Sequence, residues 1–410
     1  MKYLVISPYF YPHIGGSQRY MEELYAHILK RDSASRVDVL CYNTSGALHK
    51  ENYKKMTIYR IACLEILPGQ FAIPHPIELI TILLRLSKTP YEIVHANTRF
   101  FESAWWAWIY ARIIGAKAIL TDHVANHPIH PNNTVSQIAR FFDVTITRWV
   151  VHQYDLITAT NKKTQEFLLS RLKAKYVTLL YGGVDTKFYK PMKSTILRKL
   201  PKIAKQFSQR DIIITFSGRL IETKGVMLFM QAISQLIHFL PKHIYFVIAG
   251  SGTLSKQINI MRSRRPLNTR IFTTGALEGK DVAILLRRSD IFVHPSYHAE
   301  GFPNAILEAG ASGCFVIATD NAGTSEIIEN KTTGLLMKQK NVAAMKKAIL
   351  WAITHPNERI KMAKRARQLI VKRFDWRERA TEFTTLAEQL YLKPNSLQNP
   401  QNDISLAPQT

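Results

Sequence analysis

Acidic side chains are scarce in this chain: 30 Asp and Glu stand against 55 Lys and Arg, a formal charge of +25 over 410 residues. The imbalance is not a tail effect, because residues 1–190 hold 23 basic and 14 acidic groups and the remainder holds 32 and 16. Such a charge points to nucleic acid, an anionic membrane surface, phosphorylated substrates, or a plain solvated basic surface. Cysteine is nearly missing. Cys41, Cys63 and Cys314 lie far apart in apolar runs, and no C-x-x-C pair exists for zinc or dithiol chemistry. They read as buried thiols of a reducing compartment. No charge-free apolar run approaches the ~18–20 residues of a membrane span. The apolar stretch behind Met1 is too short for a signal peptide and reads as a first strand. Zinc, helix-turn-helix and RNA-recognition signatures are lacking, so nucleic acid is not expected as a partner.

What is present is alternation. Short β-branched runs at 3–7, 37–42, 58–62, 93–96, 118–121, 156–159 and 177–181 are followed by a second series at 212–217, 244–249, 270–274, 291–294, 315–318 and 334–337. Helical patterns such as 18–31, 224–240 and 342–354 lie between them. This predicts an α/β protein with two Rossmann-like, doubly wound domains. The joining stretch 187–210 is rich in Lys and Arg and lacks strand character. Residues 73–86 read most simply as a buried helix, with a membrane-surface helix as the alternative. Trp105, Trp106 and Trp108 in 103–114 suit one face of a core helix or an interfacial aromatic anchor. The Asn-, Gln- and Pro-rich stretch 395–410 reads as a disordered tail.

Ligands of open α/β sheets bind at strand–loop–helix junctions, and three such junctions are marked here. The first carries Gly15-Gly16 between a strand and a helix, where backbone can approach an anion. It is not G-x-G-x-x-G, so a tightly held dinucleotide is disfavoured. The second is Ser217-Gly218-Arg219-Leu220-Ile221-Glu222-Thr223-Lys224-Gly225, whose Arg219 and Lys224 suit a diphosphate. The third is Glu300-Gly301-Phe302-Pro303-Asn304-Ala305-Ile306-Leu307-Glu308-Ala309. Pro303 fits a first helical position. Glu300 falls in the preceding loop, and Glu308 on the helix, inward beside Ala305 and Ala309. The loop carboxylate, with the N–H groups of Gly301 and Phe302, can grip hydroxyls and an oxyanion, and Glu308 can accept from a ribose diol.

The string EGFPNAILEAGASG…VIATDNAGTSEII resembles the donor-site motif of retaining nucleotide-sugar glycosyltransferases of the group 1 class, family 4. Gly218-Arg219-Leu220 with Lys224-Gly225 is similar to that class's diphosphate clamp, and Gly15-Gly16 to its N-terminal loop. Tyr181-Gly182-Gly183-Val184-Asp185 and Ala249-Gly250-Ser251-Gly252 resemble its N-G-V-D and G-x-G segments. Two departures are Tyr181-Gly182 in place of N-G, and Cys314-Phe315 where a proline is usual before V-I-A-T.

The resemblance implies the GT-B fold: two Rossmann-like doubly wound domains facing each other across a cleft, with a C-terminal helix crossing back to the first. Residues 1–190 would bind acceptor and 191–375 the nucleotide sugar, 376–393 would form the crossing helix, and 394–410 a disordered tail. It implies that Arg219 and Lys224 hold the donor diphosphate, with Gly15, Gly16, Gly250, Gly301 and Phe302 also at the donor. Glu308 would bind the ribose and Glu300 the transferred sugar, with Thr274 and Leu277 near the base. His123, after the strand ending in Thr121-Asp122, would face the reacting centre. Asp122, His127 and His130 would lie on the acceptor side. No D-x-D occurs, so no metal is indicated, and no cofactor beyond the nucleotide-sugar substrate is required. The acceptor would be a glycan or a lipid-linked glycan of cell-surface polysaccharide, lipopolysaccharide or glycolipid synthesis. The charge adds an anionic membrane surface as partner and a cytoplasmic, peripheral location at the inner face of the cell membrane. A nucleotide-sugar epimerase or another enzyme on the same fold is the alternative; a phosphorylase would need a pyridoxal-phosphate lysine, and no convincing one is present.

Overall fold

The computed structural model describes residues 1–13, 15–67, 71–128, 133–191, 207–208, 210–297, 302–321 and 323–392. Packing divides the chain into Met1–Gly182 together with the chain from Trp376 on, and Gly183–Asp375. The expected tail at 394–410 lies outside the described residues, as does most of the joining stretch.

The first unit is built on strands β1 (Lys2–Ile6), β2 (Arg36–Tyr42), β3 (Lys50–Tyr53), β4 (Met56–Ile61), β5 (Cys63–Leu67), β6 (Phe71–Pro74), β7 (Ile93–Asn97), β8 (Lys117–Asp122), β9 (Leu156–Ala159) and β10 (Thr178–Leu179). Its helices are α1 (Gly16–Arg31), α2 (Pro76–Leu86), α3 (Glu102–Ile113), α4 (Asn133–Phe142), α5 (Arg148–Val151) and α6 (Lys162–Ser170). One π-helical turn, Asp143–Thr147, joins α4 to α5. The sheet runs β10-β9-β8-β7-β1-β2-β4-β3, parallel except for β3. Strands β5 and β6 pair as a separate antiparallel hairpin.

Parallel strands are covered on both faces, and these are. Leu4 and Ile6 of β1 face one layer with α2, α3 and α5; Tyr3 and Val5 face the other. There α1 presents Tyr20, Met21, Leu24, Tyr25 and Ile28 at helical spacing. The reading of 73–86 as a buried helix is overturned. Ile73 and Pro74 belong to β6, the helix starts behind them with Pro76 in its first turn, and only Leu86 of α2 is buried. The apolar run is long enough for a helix, but the sheet beneath covers only one of its sides. The three tryptophans of α3 are half-buried and pack on the core.

The second unit carries β11 (Ile212–Ser217), β12 (Ile244–Ala249), β13 (Ile271–Gly275), β14 (Ile291–His294), β15 (Phe315–Thr319) and β16 (Leu335–Met337). They form an all-parallel sheet in the order β13-β12-β11-β14-β15-β16. Helices α7 (Val226–Leu236), α8 (Ser255–Arg262), α9 (Gly279–Arg288), α10 (Asn304–Ser312), α11 (Thr324–Ile327), α12 (Val342–Thr354) and α13 (Pro356–Arg373) surround it. Inside this unit the incoming and outgoing segments are tied: Val184 N–H donates to Phe374 O at 2.8 Å, and Thr186 bonds Asp375.

The last helix, α14 (Trp376–Leu392), returns to the first unit beside α1. Trp376, Ala380, Phe383, Ala387 and Leu390 complete the layer over Tyr3 and Val5. Phe383 is fully buried, stacked 5.0 Å from the ring of His95 and edge-on to Tyr25 at 5.8 Å. Phe383→Ala should therefore destabilise the full-length protein by about 3–5 kcal/mol, read from a chemical-denaturation midpoint.

Candidate functional site

In an open parallel sheet the chain runs outward from its first strand and then back past it, and the crevice between the two directions is the ligand position. In the second unit that point lies at the carboxyl ends of β11 and β14. Three loops meet there. The β11 loop, with Arg219 exposed and Lys224 half-buried, is held on one side by the β12 loop: Leu220 N–H donates to Ser251 O at 2.8 Å, and Gly218 N–H to Ala249 O at 3.0 Å. The β14 loop holds its other side, with Tyr297 N–H on Thr223 O at 3.1 Å and Ser296 Oγ on the same oxygen at 3.2 Å.

Two glycines make this approach possible. Gly250 has φ +141, and a Cβ there would fall 1.9 Å from Gly218 O. Gly225 has φ +71, and its Cβ would fall 2.1 Å from Pro295 O. Backbone meets backbone at both places, so a side chain would drive the loops apart. Gly225 also ends the short 3-10 turn Glu222–Lys224 and starts α7.

The β13 end adjoins this cluster, since Gly250 N–H donates to Gly275 O at 2.8 Å. Thr274 bonds that same carbonyl, and Leu277 packs beside Ala249. Glu308 is buried on α10, the helix that follows the β14 loop, and Phe302 lies 5.5 Å from Phe374. Pro303 caps α10 rather than opening it, so the helix starts at Asn304. Glu300 and Gly301 lie outside the described residues.

In the first unit the corresponding point is between β1 and β7. Gly15 caps α1 with extended backbone and, as a glycine, gives that helix end no side-chain cap. A hydrogen-bonded chain crosses the strand ends: His123 Nε2 meets Asn97 Oδ1 at 2.9 Å, Asn97 Nδ2 donates to Ser7 Oγ at 3.0 Å, and Ser7 Oγ donates to Tyr9 O at 2.8 Å. Tyr20 presents its ring edge-on to His123 at 5.0 Å. Desolvation in this setting pulls the His123 imidazole down to about 3, so it is neutral at physiological pH. His95, locked between Tyr25 and Thr121 at 2.7 Å each, is pulled down likewise.

Behind His123 stands a residue that no motif marked. Arg99 is wholly buried and pairs with Asp122 and with Asp143 of the π turn. It also donates to Val124 O at 2.8 Å and Asn126 O at 2.7 Å, and lies 4.7 Å over the Phe167 ring. Asp122 thus acts through Arg99 and the His123 backbone N–H rather than as an open carboxylate. His127 joins the same node, 2.7 Å from Asp143 Oδ2. His130 lies outside the described residues. Thr98, just before Arg99, has φ +71, a strained position for a β-branched residue and the kind found at functional sites.

Two family models match in succession: residues 14–188 fit the one described as glycosyltransferase family 4, and 200–369 the one described as glycosyl transferases group 1. An uncharacterized glycosyltransferase of Methanocaldococcus jannaschii is 24% identical over 95% of this chain and 99% of its own. A phosphatidylinositol N-acetylglucosaminyltransferase subunit of Arabidopsis thaliana is 25% identical over 85% of this chain and 74% of its own. Among solved structures, Anabaena HepE in complex with UDP aligns with TM-score 0.75 at 18% identity, covering 95% of this chain and 100% of that one. Sucrose-phosphate synthase of Thermosynechococcus elongatus aligns with TM-score 0.76 at 19% identity, covering 95% and 99%. What the structures share at such identity is the GT-B fold.

Two outcomes follow from the first-unit geometry. Arg99→Met strands two buried carboxylates and should cost about 3–5 kcal/mol of folding stability in denaturant titration. Arg99→Lys should not restore it, because a point charge cannot serve the two carboxylates and two carbonyls at once. The histidines set a pH dependence. His95 and His123 are neutral in the fold down to about 3 but ordinarily protonate near 6.5. Their contribution is complete above about pH 6.5 and is lost as pH falls toward about 3, so the calorimetric unfolding temperature should drop between about pH 6.5 and 5, less steeply in His123→Asn.

Proposed function

We propose that this chain, which belongs to the group 1 glycosyltransferases of family 4, moves a sugar from a UDP- or GDP-sugar to a glycan or lipid-linked acceptor, with retention of anomeric configuration. The observation that carries the reading is the three-loop junction at β11, β12 and β14, with Arg219 and Lys224 in its central loop. Preorganised cations stabilise a departing diphosphate without reorganisation, the largest demand of such a transfer. In this reading Glu308 accepts from the ribose, Thr274 and Leu277 flank the base, and Glu300, Gly301 and Phe302 meet the transferred sugar and phosphate. Gly15, Gly16 and His123 face the donor from the first unit, and His127, His130 and Asp122 serve the acceptor side. A neutral His123 contributes a hydrogen bond rather than a charge to the reacting sugar. The leaving phosphate takes the proton of the attacking hydroxyl, and no metal is needed in that scheme.

UDP is favoured as the nucleotide by the UDP and UDP-glucose complexes of the Anabaena neighbour. The likeness to the Arabidopsis phosphatidylinositol N-acetylglucosaminyltransferase subunit favours a lipid-linked acceptor. No helix among the described residues is long and apolar enough to cross a membrane. The acceptor is then met peripherally, at the inner face of the cell membrane, in cell-surface polysaccharide, lipopolysaccharide or glycolipid synthesis.

A thermal-shift panel of UDP- and GDP-sugars should show one donor raising the unfolding temperature. With that donor, Arg219→Ala and Glu308→Gln should each lower kcat/KM by roughly 10²–10³ while the unliganded fold is kept. Normal turnover in both variants would sink the site. Conversion of the nucleotide sugar with no acceptor present would instead identify an epimerase.

A further inference from the structure

The helical layer over one face of the first unit's sheet has an outer surface that none of the described residues covers. On α2, Ile77, Ile80 and Leu84 recur at helical spacing and are 69%, 59% and 66% exposed. The next helix, α3, adds Ile113 at 75%. Beyond it, the stretch from α4 through the π turn to α5 exposes Phe141 and Trp149, at 63% and 57%. These helices adjoin one another: Tyr110 Oη of α3 donates to Leu83 O of α2 at 2.9 Å, and Trp108 of α3 lies edge-on to Trp149 at 5.6 Å. Helix α4 buries no residue at all. Exposed apolar surface on this scale marks an interaction site rather than ordinary solvent contact.

Charge identifies the occupant. The exposed ionic groups on and just behind these helices are Arg85, Lys88, Arg112, Arg140 and Arg148, all cations. Arg112 is held by Asp155 at 3.1 Å, behind the face. The carboxylates of the helices themselves are withdrawn: Asp143 is buried with Arg99, Glu102 is bonded to Tyr42, and Glu78 accepts from Ala62 N–H at 2.7 Å. Ile, Leu, Phe and Trp framed by Arg and Lys match an anionic lipid interface, where apolar side chains enter the acyl boundary and cations meet headgroups. The α2 helix, at 11 residues, is too short to span a bilayer and long enough to lie along it.

We infer that the outer surface of α2, α3 and α4–α5 is a membrane-docking face that inserts into the headgroup region of an anionic bilayer. Binding therefore has an apolar part that salt does not screen, beside the part that it does. The inference rests on the reading of a lipid-linked acceptor for its biological sense, yet it is tested without any acceptor. The π turn faces both ways: Val144 and Ile146 are exposed, while Thr147 is buried and Asp143 is buried in its pairing with Arg99. Contact with lipid is thereby one side chain removed from the loop that carries His123 and His127.

The test is sedimentation of the full-length protein with vesicles of phosphatidylcholine, alone or mixed with phosphatidylglycerol. Wild-type protein should pellet with the mixed vesicles, with a blue shift of tryptophan emission, and should keep part of that binding in about 1 M salt. Ile80→Asn with Leu84→Asn, and separately Trp149→Ser, should each weaken partition about tenfold or more. The Ile80 and Leu84 changes lie on the surface, so that variant's unfolding temperature and turnover of a water-soluble acceptor should stay at wild-type values, and Trp149→Ser, which also loses its edge contact with Trp108, should keep that turnover. Wild-type protein left in the supernatant, or variants that bind as well as wild type, would overturn the docking face. So would a concentration-dependent dimer abolished by the same variants without vesicle binding, which would make the surface a self-association face. Vesicle binding without binding of any nucleotide sugar would instead refute the proposed function and leave the docking face standing.

Discussion

A parallel sheet has to be covered on both faces, and the rest of this molecule follows from that requirement. Both faces of β1, β7, β11 and β14 are buried and mostly apolar, and the polar side chains they do bury, such as His95, are hydrogen-bonded in place, so open polar chemistry collects at the carboxyl edge. At that edge the loops have no strand partners and satisfy their backbone by leaning on one another. Gly250 and Gly225 are the points where that leaning is closest. The crevice in the second unit is therefore a by-product of covering the sheet, and Arg219 and Lys224 stand in its central loop.

The first unit solves the same problem with a buried cation. Arg99 satisfies two carboxylates and two loop carbonyls at once. A buried ion group of this kind contributes little net stability against an apolar replacement of equal volume, but it dictates one arrangement of the groups around it. Here that arrangement sets the strand end bearing Asp122 and His123, the loop to His127, and the π turn. Specificity of conformation is what the proposed role of His123 would require, and the left-handed Thr98 lies beside the same node.

Much of this was legible in the residues themselves. The β-branched runs located the parallel strands, because strands buried on both faces leave little room for other side chains. The hairpin β5–β6 and the antiparallel β3 escaped, since Glu65, Lys50 and Glu51 break the apolar signal of a core strand. The buried-helix reading of 73–86 failed because composition reports that a run is apolar, not that something covers it. Arg219, Lys224 and Glu308 were singled out through motif spacing, and the structure puts the first two in the loop at the sheet's crevice. Arg99 and Asp143 were not: they are separated by 44 residues in the chain, and they meet only because β7 and β8 lie side by side and the π turn between β8 and β9 folds back over their ends. A charged residue two positions behind a short strand that buries all five of its residues was the one local hint. The same blindness hid the counter-charges of the surface excess, for the sequence does not say which carboxylates are spent inside.

The return of α14 bears on how the protein is made. Translation releases the first 182 residues, then the whole of the second unit, and only afterwards Trp376 to Leu392. The second unit is complete before α14 is made, whereas the first lacks its last helix until Leu392 has been added. Through that interval Tyr3, Tyr25 and His95 lack the cover that Phe383 provides. A nascent chain with such a waiting apolar face is a natural client for chaperones. Fusion partners and affinity tags belong beyond Leu392, where they do not delay the one helix that completes the N-terminal half.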